Sequence, residues 1–156
     1  MTPALFAQLF RTSHGALHLN LAGVTPEEAL LQPEPAGNCL TWIVGHITAS
    51  RNGALRVLGE EPIWDAETAK RYARSSAPIL GSGDGLPFER IVADFDATQE
   101  RIVAALARTS PEDLARTWKD DQSVGAWLAF LHFHESYHVG QTGIVRRLIG
   151  KEGAIR

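Results

Sequence analysis

The sequence predicts an all-α protein built as a four-helix bundle. Apolar residues recur at three- and four-residue steps through four long stretches. Cap and breaker residues bound each stretch, and no window keeps the two-residue alternation of a strand. A chain of 156 residues suits a single domain, 1–156, large enough for a core without staples. With 44% hydrophobic and 21% charged residues, the composition excludes a disordered chain.

Thr2-Pro3 opens the first helix, a capping hydroxyl followed by proline at the first helical position. Phe6, Phe10, Ser13, Leu17 and Leu21 form its inner face, and Gly23 stops it. Thr25-Pro26-Glu27-Glu28 reads as another cap, whose helix Pro33 and Pro35 keep short. The second long helix starts near Asn38, carries Leu40, Ile43, Val44, Ile47, Leu55 and Leu58, and ends at Gly59. The pattern then dissolves over 60–86, a long crossover between the second and third helices with a short helix near 66–72. Pro87 opens the third, with Phe88, Ile91, Phe95, Ile102 and Leu106 on one face up to Arg108. Ser110-Pro111 begins a short turn, and Ser123 caps the last helix, which Gly150 closes.

The charge balance, 15 Lys+Arg against 18 Asp+Glu for a net charge of −3, offers no wide basic field, so nucleic acid is not expected as a partner. The N-terminal stretch lacks the basic start of a signal peptide. The longest run free of charge, 35–50, falls short of the ~20 apolar residues of a membrane span. The lone Cys39 cannot form an internal disulfide, which fits a reducing compartment. A cytoplasmic protein with no membrane partner is therefore expected. Six histidines against one cysteine mean that metal chemistry here would use imidazole and carboxylate.

His134 and His138 lie one above the other on a helix face, so two imidazoles can reach one ion. A catalytic zinc-type site takes about three protein ligands and keeps an open position. The third ligand should come from another helix, and His46, between Ile43 and Ile47, is the natural donor. One inward histidine alone is more simply a hydrogen-bonded core residue; three on two helices point to a shared ion. His14 and His18 repeat the four-residue spacing on the first helix, and the spacing leaves open whether either approaches the site. His132 is about 200° around the helix from His134 and should point away, to a surface or an interface. Cys39 sits about 10 Å along the axis from His46, too far to join its ligands.

The string HESYH, 134–138, matches the H-E-x-x-H zinc-peptidase motif, in which Glu is the general base. Its context fails. Gln141 and Ile144 stand where the extended motif needs Gly and His, and only Glu152 remains as a later acid. Glu135 therefore reads as an outer-sphere, solvent or interface residue. Gln141 shares the site face and could bond a histidine ring or simply pack. Tyr137 reads as core, with an outer-sphere role as the alternative. Trp42, Trp118 and Trp127 read as core or pocket lining. Trp42 and Arg146 are the candidates for contact with a bound cofactor, Arg146 and Arg147 also being cations suited to a helix C-terminus.

The stretch LTWIVGHITASRNGALRVLGE, 40–60, with Trp42 four residues before His46, resembles the second helix of DinB-like, DNA-damage-inducible metalloproteins. HESYHVGQTGIVRRLIG, 134–150, is similar to their last helix. The resemblance covers the chain in length and helix layout. It implies a bundle of up-down-down-up topology. It also implies a divalent ion, zinc or nickel, on His46, His134 and His138, with the remaining positions open. Homodimers are common in the family. Some members transfer low-molecular-weight thiols such as bacillithiol, mycothiol or glutathione.

Three neutral imidazoles leave an ion its full +2 charge, enough to deprotonate a coordinated thiol or activate a bound water. With no cysteine placed to attack, the thiol would come from outside. The expected function is a metal-dependent thiol S-transferase of stress or detoxification type, acting on a small-molecule electrophile. The alternatives are a metal-dependent hydrolase using bound hydroxide and a non-enzymatic metal-binding stress protein.

Overall fold

The computed structural model describes residues 1–34 and 36–155; Pro35, expected to help end the second capped segment, lies outside them. Four long helices form the body: α1 (Pro3–Leu21), α2 (Leu40–Val57), α4 (Phe88–Arg108) and α6 (Val124–Leu148). Two short helices, α3 (Ala66–Arg71) and α5 (Pro111–Ala115), lie in the connections. The Thr25 cap opens only a 3-10 turn, Glu28–Leu30.

The caps act as the sequence indicates. Thr2 Oγ1 accepts from Leu5 N at 3.2 Å and Ser123 Oγ from Ala126 N at 3.1 Å, each satisfying an otherwise orphaned helix donor. Ser110 and Asp113 close a reciprocal capping box on α5. One element escaped the periodicity. Thr117–Lys119 (β1) pairs antiparallel with Gln122–Ser123 (β2) just before α6. Its turn residues Asp120 and Asp121 have φ of 50° and 57°, the left-handed pair that a two-residue hairpin turn requires. Trp118, expected in the core or lining a pocket, is 42% exposed on this ribbon.

Around the bundle α1 packs against α4 and α6, and α2 against the same two, so the order is α1-α4-α2-α6. Ser13 meets Glu135 and Asn20 meets Thr142, so α1 runs parallel to α6. Arg51 meets Thr98 and Glu60 meets Arg108, so α2 runs parallel to α4. His46 meets His138 while Gly53 faces Leu131, so α2 opposes α6. The topology is therefore up-down-down-up, with 58–87 as the long crossover.

The core divides into two apolar clusters. One gathers Leu17, Trp42, Ile47, Tyr72, Phe95 and Val139; the other Phe6, Phe10, Leu55, Ile102 and Leu128. Between them lies a polar layer with one residue from each long helix. Arg51 makes a two-pronged ion pair with Glu135, 2.8 Å on each prong, and its third nitrogen donates to Phe95 O and Thr98 Oγ1, both at 3.2 Å. Ser13 Oγ donates to Glu135 Oε1. Arg51 and Glu135 are each 1% exposed.

The crossover is anchored, not loose. Asn52, buried on α2, accepts from Ile63 N at 2.9 Å and donates to Trp64 O at 3.0 Å. Trp64 Nε1 donates to Asp94 Oδ2 at 2.7 Å. Tyr72 is fully buried and packs against Gly45, where a Cβ would strike the ring. No helix among the described residues is long and apolar enough to cross a membrane.

Candidate metal centre

His46 on α2 and His134 and His138 on α6 converge because the two helices pack side by side and each ring stands on the facing stripe. His134 Nε2 lies 3.1 Å from His46 Nε2 and 3.2 Å from His138 Nε2. The far side of two of these rings decides what the near side can be. His46 Nδ1 is 2.6 Å from the Tyr72 carbonyl, which only accepts, so Nδ1 holds the proton. His138 Nδ1 is 2.7 Å from Gln141 Oε1 and donates likewise. In the neutral rings, both Nε2 atoms then present bare lone pairs toward His134. One proton on His134 Nε2 can satisfy only one of them.

Electrostatics favours neutral rings. Burial holds His46 below the usual histidine value against the pull of the Tyr72 carbonyl. Burial lowers His138 as well, opposed by the Gln141 bond. His134 is pushed down to about 4, by burial first and then by its two histidine neighbours. Three uncharged nitrogens facing one point suit a cation. Around a tetrahedral ion with bonds of about 2.0–2.1 Å, adjacent nitrogens stand about 3.3 Å apart, close to the spacing here. The residues present therefore fit a divalent ion, and these three could hold one. His134 Nδ1 is buried without a hydrogen-bond partner among the described residues, so its tautomer is not fixed in the same way.

The surroundings are aromatic. The Trp42 ring stacks on His46 at 4.8 Å and 13°, and its Nε1 donates to Ser76 Oγ at 2.9 Å. Phe130 lies 6.4 Å from His134 and Tyr137 stands edge-on 5.1 Å from His138. Both are more than half exposed, so they form the rim of the centre.

The structure brings together His46, His134, His138, Gln141, Trp42 and Tyr137. Tyr137 is 59% exposed, not core. Glu135 is neither at solvent nor behind the histidines. It faces inward, 100° from His134, and is consumed by Arg51 and Ser13. The H-E-x-x-H reading fails on this point as well, since the glutamate cannot reach a water at the histidines. Arg146 is also elsewhere. Its guanidinium donates to Asn20 O at 2.9 Å and Ala22 O at 2.7 Å, clasping the end of α1. His14 and His18 do not approach the triad; both meet Asp96 on α4. His132 points away from the triad, edge-on to Phe10.

Two contributors were missed from the sequence. Tyr72 O and Ser76 Oγ both come from the 60–86 connection. Only Gly45, directly before His46, hinted that something packs there.

A solved structure described as a conserved protein from Enterococcus faecalis shares the fold, with a TM-score of 0.73, 17% identity, and 96% of this chain and 98% of that chain covered. No curated protein sequence matches the chain. The profile of the DinB superfamily matches residues 8–142, most of the bundle and all three converging histidines, and the chain belongs to that superfamily.

Proposed function

We propose that His46, His134 and His138 hold a divalent ion, zinc or nickel, and that the centre transfers a low-molecular-weight thiol to a small electrophile. One observation carries the metal assignment. The Tyr72 carbonyl and the Gln141 amide fix two ring tautomers so that their lone pairs meet at a common point. An ion on three neutral imidazoles keeps its +2 charge and favours the thiolate form of a coordinated thiol.

The protein supplies the rest. Tyr72 and Gln141 orient the rings. Phe130 and Tyr137 offer aromatic surface to an apolar electrophile, and the buried Trp42 backs the His46 ring. The thiol has to be borrowed, from bacillithiol, mycothiol or glutathione, because Cys39 is fully buried with Sγ on Ile79 O at 3.5 Å. Glutamate-assisted hydrolysis loses its base, since Glu135 is bound to Arg51.

The test uses tag-free protein. His46→Ala, His134→Ala and His138→Ala should each abolish stoichiometric metal and the conjugation of each thiol to a chromogenic aryl electrophile. Undiminished conjugation in metal-free variants sinks the proposal. Turnover without added thiol would indicate hydrolysis, and none with any thiol a non-enzymatic metal protein.

The same helix supports pairing as a homodimer. Phe133, Ile144 and Leu148 are all more than half exposed and fall on one stripe of α6, beside the rim residues Phe130 and Tyr137. Phe133→Glu with Ile144→Glu should convert a dimer to a monomer in sedimentation; an unchanged mass removes this face from the interface.

A further inference from the structure

Opposite the three-histidine centre, the α1/α4 groove holds a second convergence. His14 Nε2 and His18 Nε2 lie 2.8 Å and 2.6 Å from the same oxygen, Asp96 Oδ1. The two rings stand one helical turn apart, centroids 4.6 Å from each other. The carboxylate comes from the facing helix. We propose that His14, His18 and Asp96 form a second divalent-cation site, a two-histidine, one-carboxylate set that takes a first-row transition ion.

Several features support this beyond proximity. Each residue points its metal-competent atom at one place, and the contacts of 2.8 and 2.6 Å would have to open by about 0.5–0.7 Å to reach the ~3.3 Å between neighbouring ligands of a tetrahedral ion. Small outward shifts of partly exposed side chains, 25%, 40% and 43% exposed, would admit it. His14 is held in position by stacking on Phe95 at 5.1 Å and 13°. Phe95 is itself pinned from the core by the Arg51 guanidinium, 3.8 Å from its centroid. Partial exposure gives ions direct access.

The donor set differs from the first centre in charge. One carboxylate reduces the net charge of a bound ion to +1, but water competes at a half-open groove and both rings must first give up their bonds to Asp96. The second ion should bind more weakly than the first. Its effect should also be mechanical, tying α1 to α4 where the first centre ties α2 to α6.

The rival account is a hydrogen-bonded His-Asp-His bridge in which both rings donate Nε2–H to Asp96. The two are separated by stoichiometry. Tag-free, metal-stripped protein is dialysed against zinc or cobalt(II) at pH 7.5 and its metal counted by elemental analysis. The wild-type chain should hold two ions. His18→Ala with Asp96→Asn should lose one ion per chain and keep the tighter one, with the helical circular dichroism unchanged. His134→Ala should lose the other, and combining the changes should leave none. If the wild type holds one ion and His18→Ala/Asp96→Asn removes it, the groove is a site and the three-histidine assignment fails. If His18→Ala/Asp96→Asn leaves the count unchanged, the bridge account stands and the second site is overturned.

Discussion

Glu135 shows how one residue's neighbours decide its role. It sits inside a peptidase-like string, between two histidines that face a candidate metal centre. Yet its carboxylate accepts from Arg51 twice and from Ser13, at 1% exposure. Removing one partner of a buried pair leaves the other charge uncompensated, at about 3–5 kcal/mol. Glu135→Ala should therefore lower unfolding free energy by about that amount in denaturant melts. Replacing both partners, as Arg51→Met with Glu135→Leu, should recover most of the loss. Metal affinity of the surviving folded fraction should stay near wild type. A catalytic base would behave oppositely, with little stability cost and a large fall in turnover. The three histidines were legible because their spacing and their apolar neighbours place them on facing stripes. The ion pair was not, because Glu135 is an acid next to His134 and its partner lies 84 positions away in sequence. No local pattern links Arg51 to it.

At the scale of elements, the long helices were legible from periodicity and caps, to within a residue or two of their ends. The starts of α1 at Thr2 and α6 at Ser123, and of the short α5 at Ser110, follow from hydroxyls that accept orphaned backbone donors. The β1–β2 ribbon was not legible. It is too short for an alternation to register, and its turn uses Asp120-Asp121 in place of a glycine. The role of the crossover was hidden too, since it acts through the Tyr72 backbone carbonyl, which carries no residue signature. Gly45 connects these elements. A Cβ there would collide with the Tyr72 ring, and Tyr72 in turn orients His46. Gly45→Ala should push Tyr72 and α3 outward at a cost of about 1–3 kcal/mol. It should also weaken metal binding by about 10–100-fold through the lost ring orientation. Isothermal titration with zinc checks the second effect. An unchanged affinity would mean that the Tyr72 carbonyl does not set the His46 tautomer.

Across the whole molecule, an ion held by the three histidines would couple metal, protons and folding. Its ligands come from α2 and α6, helices joined through the crossover and α4, so a bound ion closes a long loop of chain. Anything that binds only the folded state stabilises it by mass action, about 2.7 kcal/mol at a free concentration 100 times Kd. For a chain of this size that is about 5–10 °C in Tm. Protons act in the opposite sense. Burial holds all three rings below the free histidine value of about 6.5, His134 down to about 4. Between those values the unfolded chain binds more protons than the folded one, so stability rises with pH across that window. It is fully present above pH ~6.5 and is lost as pH falls toward 4. Metal-free protein should therefore lose stability steadily from pH 7 to 4, and His134→Ala should flatten that slope. Protons and ion compete for the same Nε2 lone pairs, so the stabilisation by zinc should shrink over the same range. Melts with and without chelator, run in a His18→Ala/Asp96→Asn background, isolate this centre from the α1/α4 groove. A chelator-sensitive Tm that survives His46→Ala in that background would place the stabilising ion somewhere other than on these three histidines.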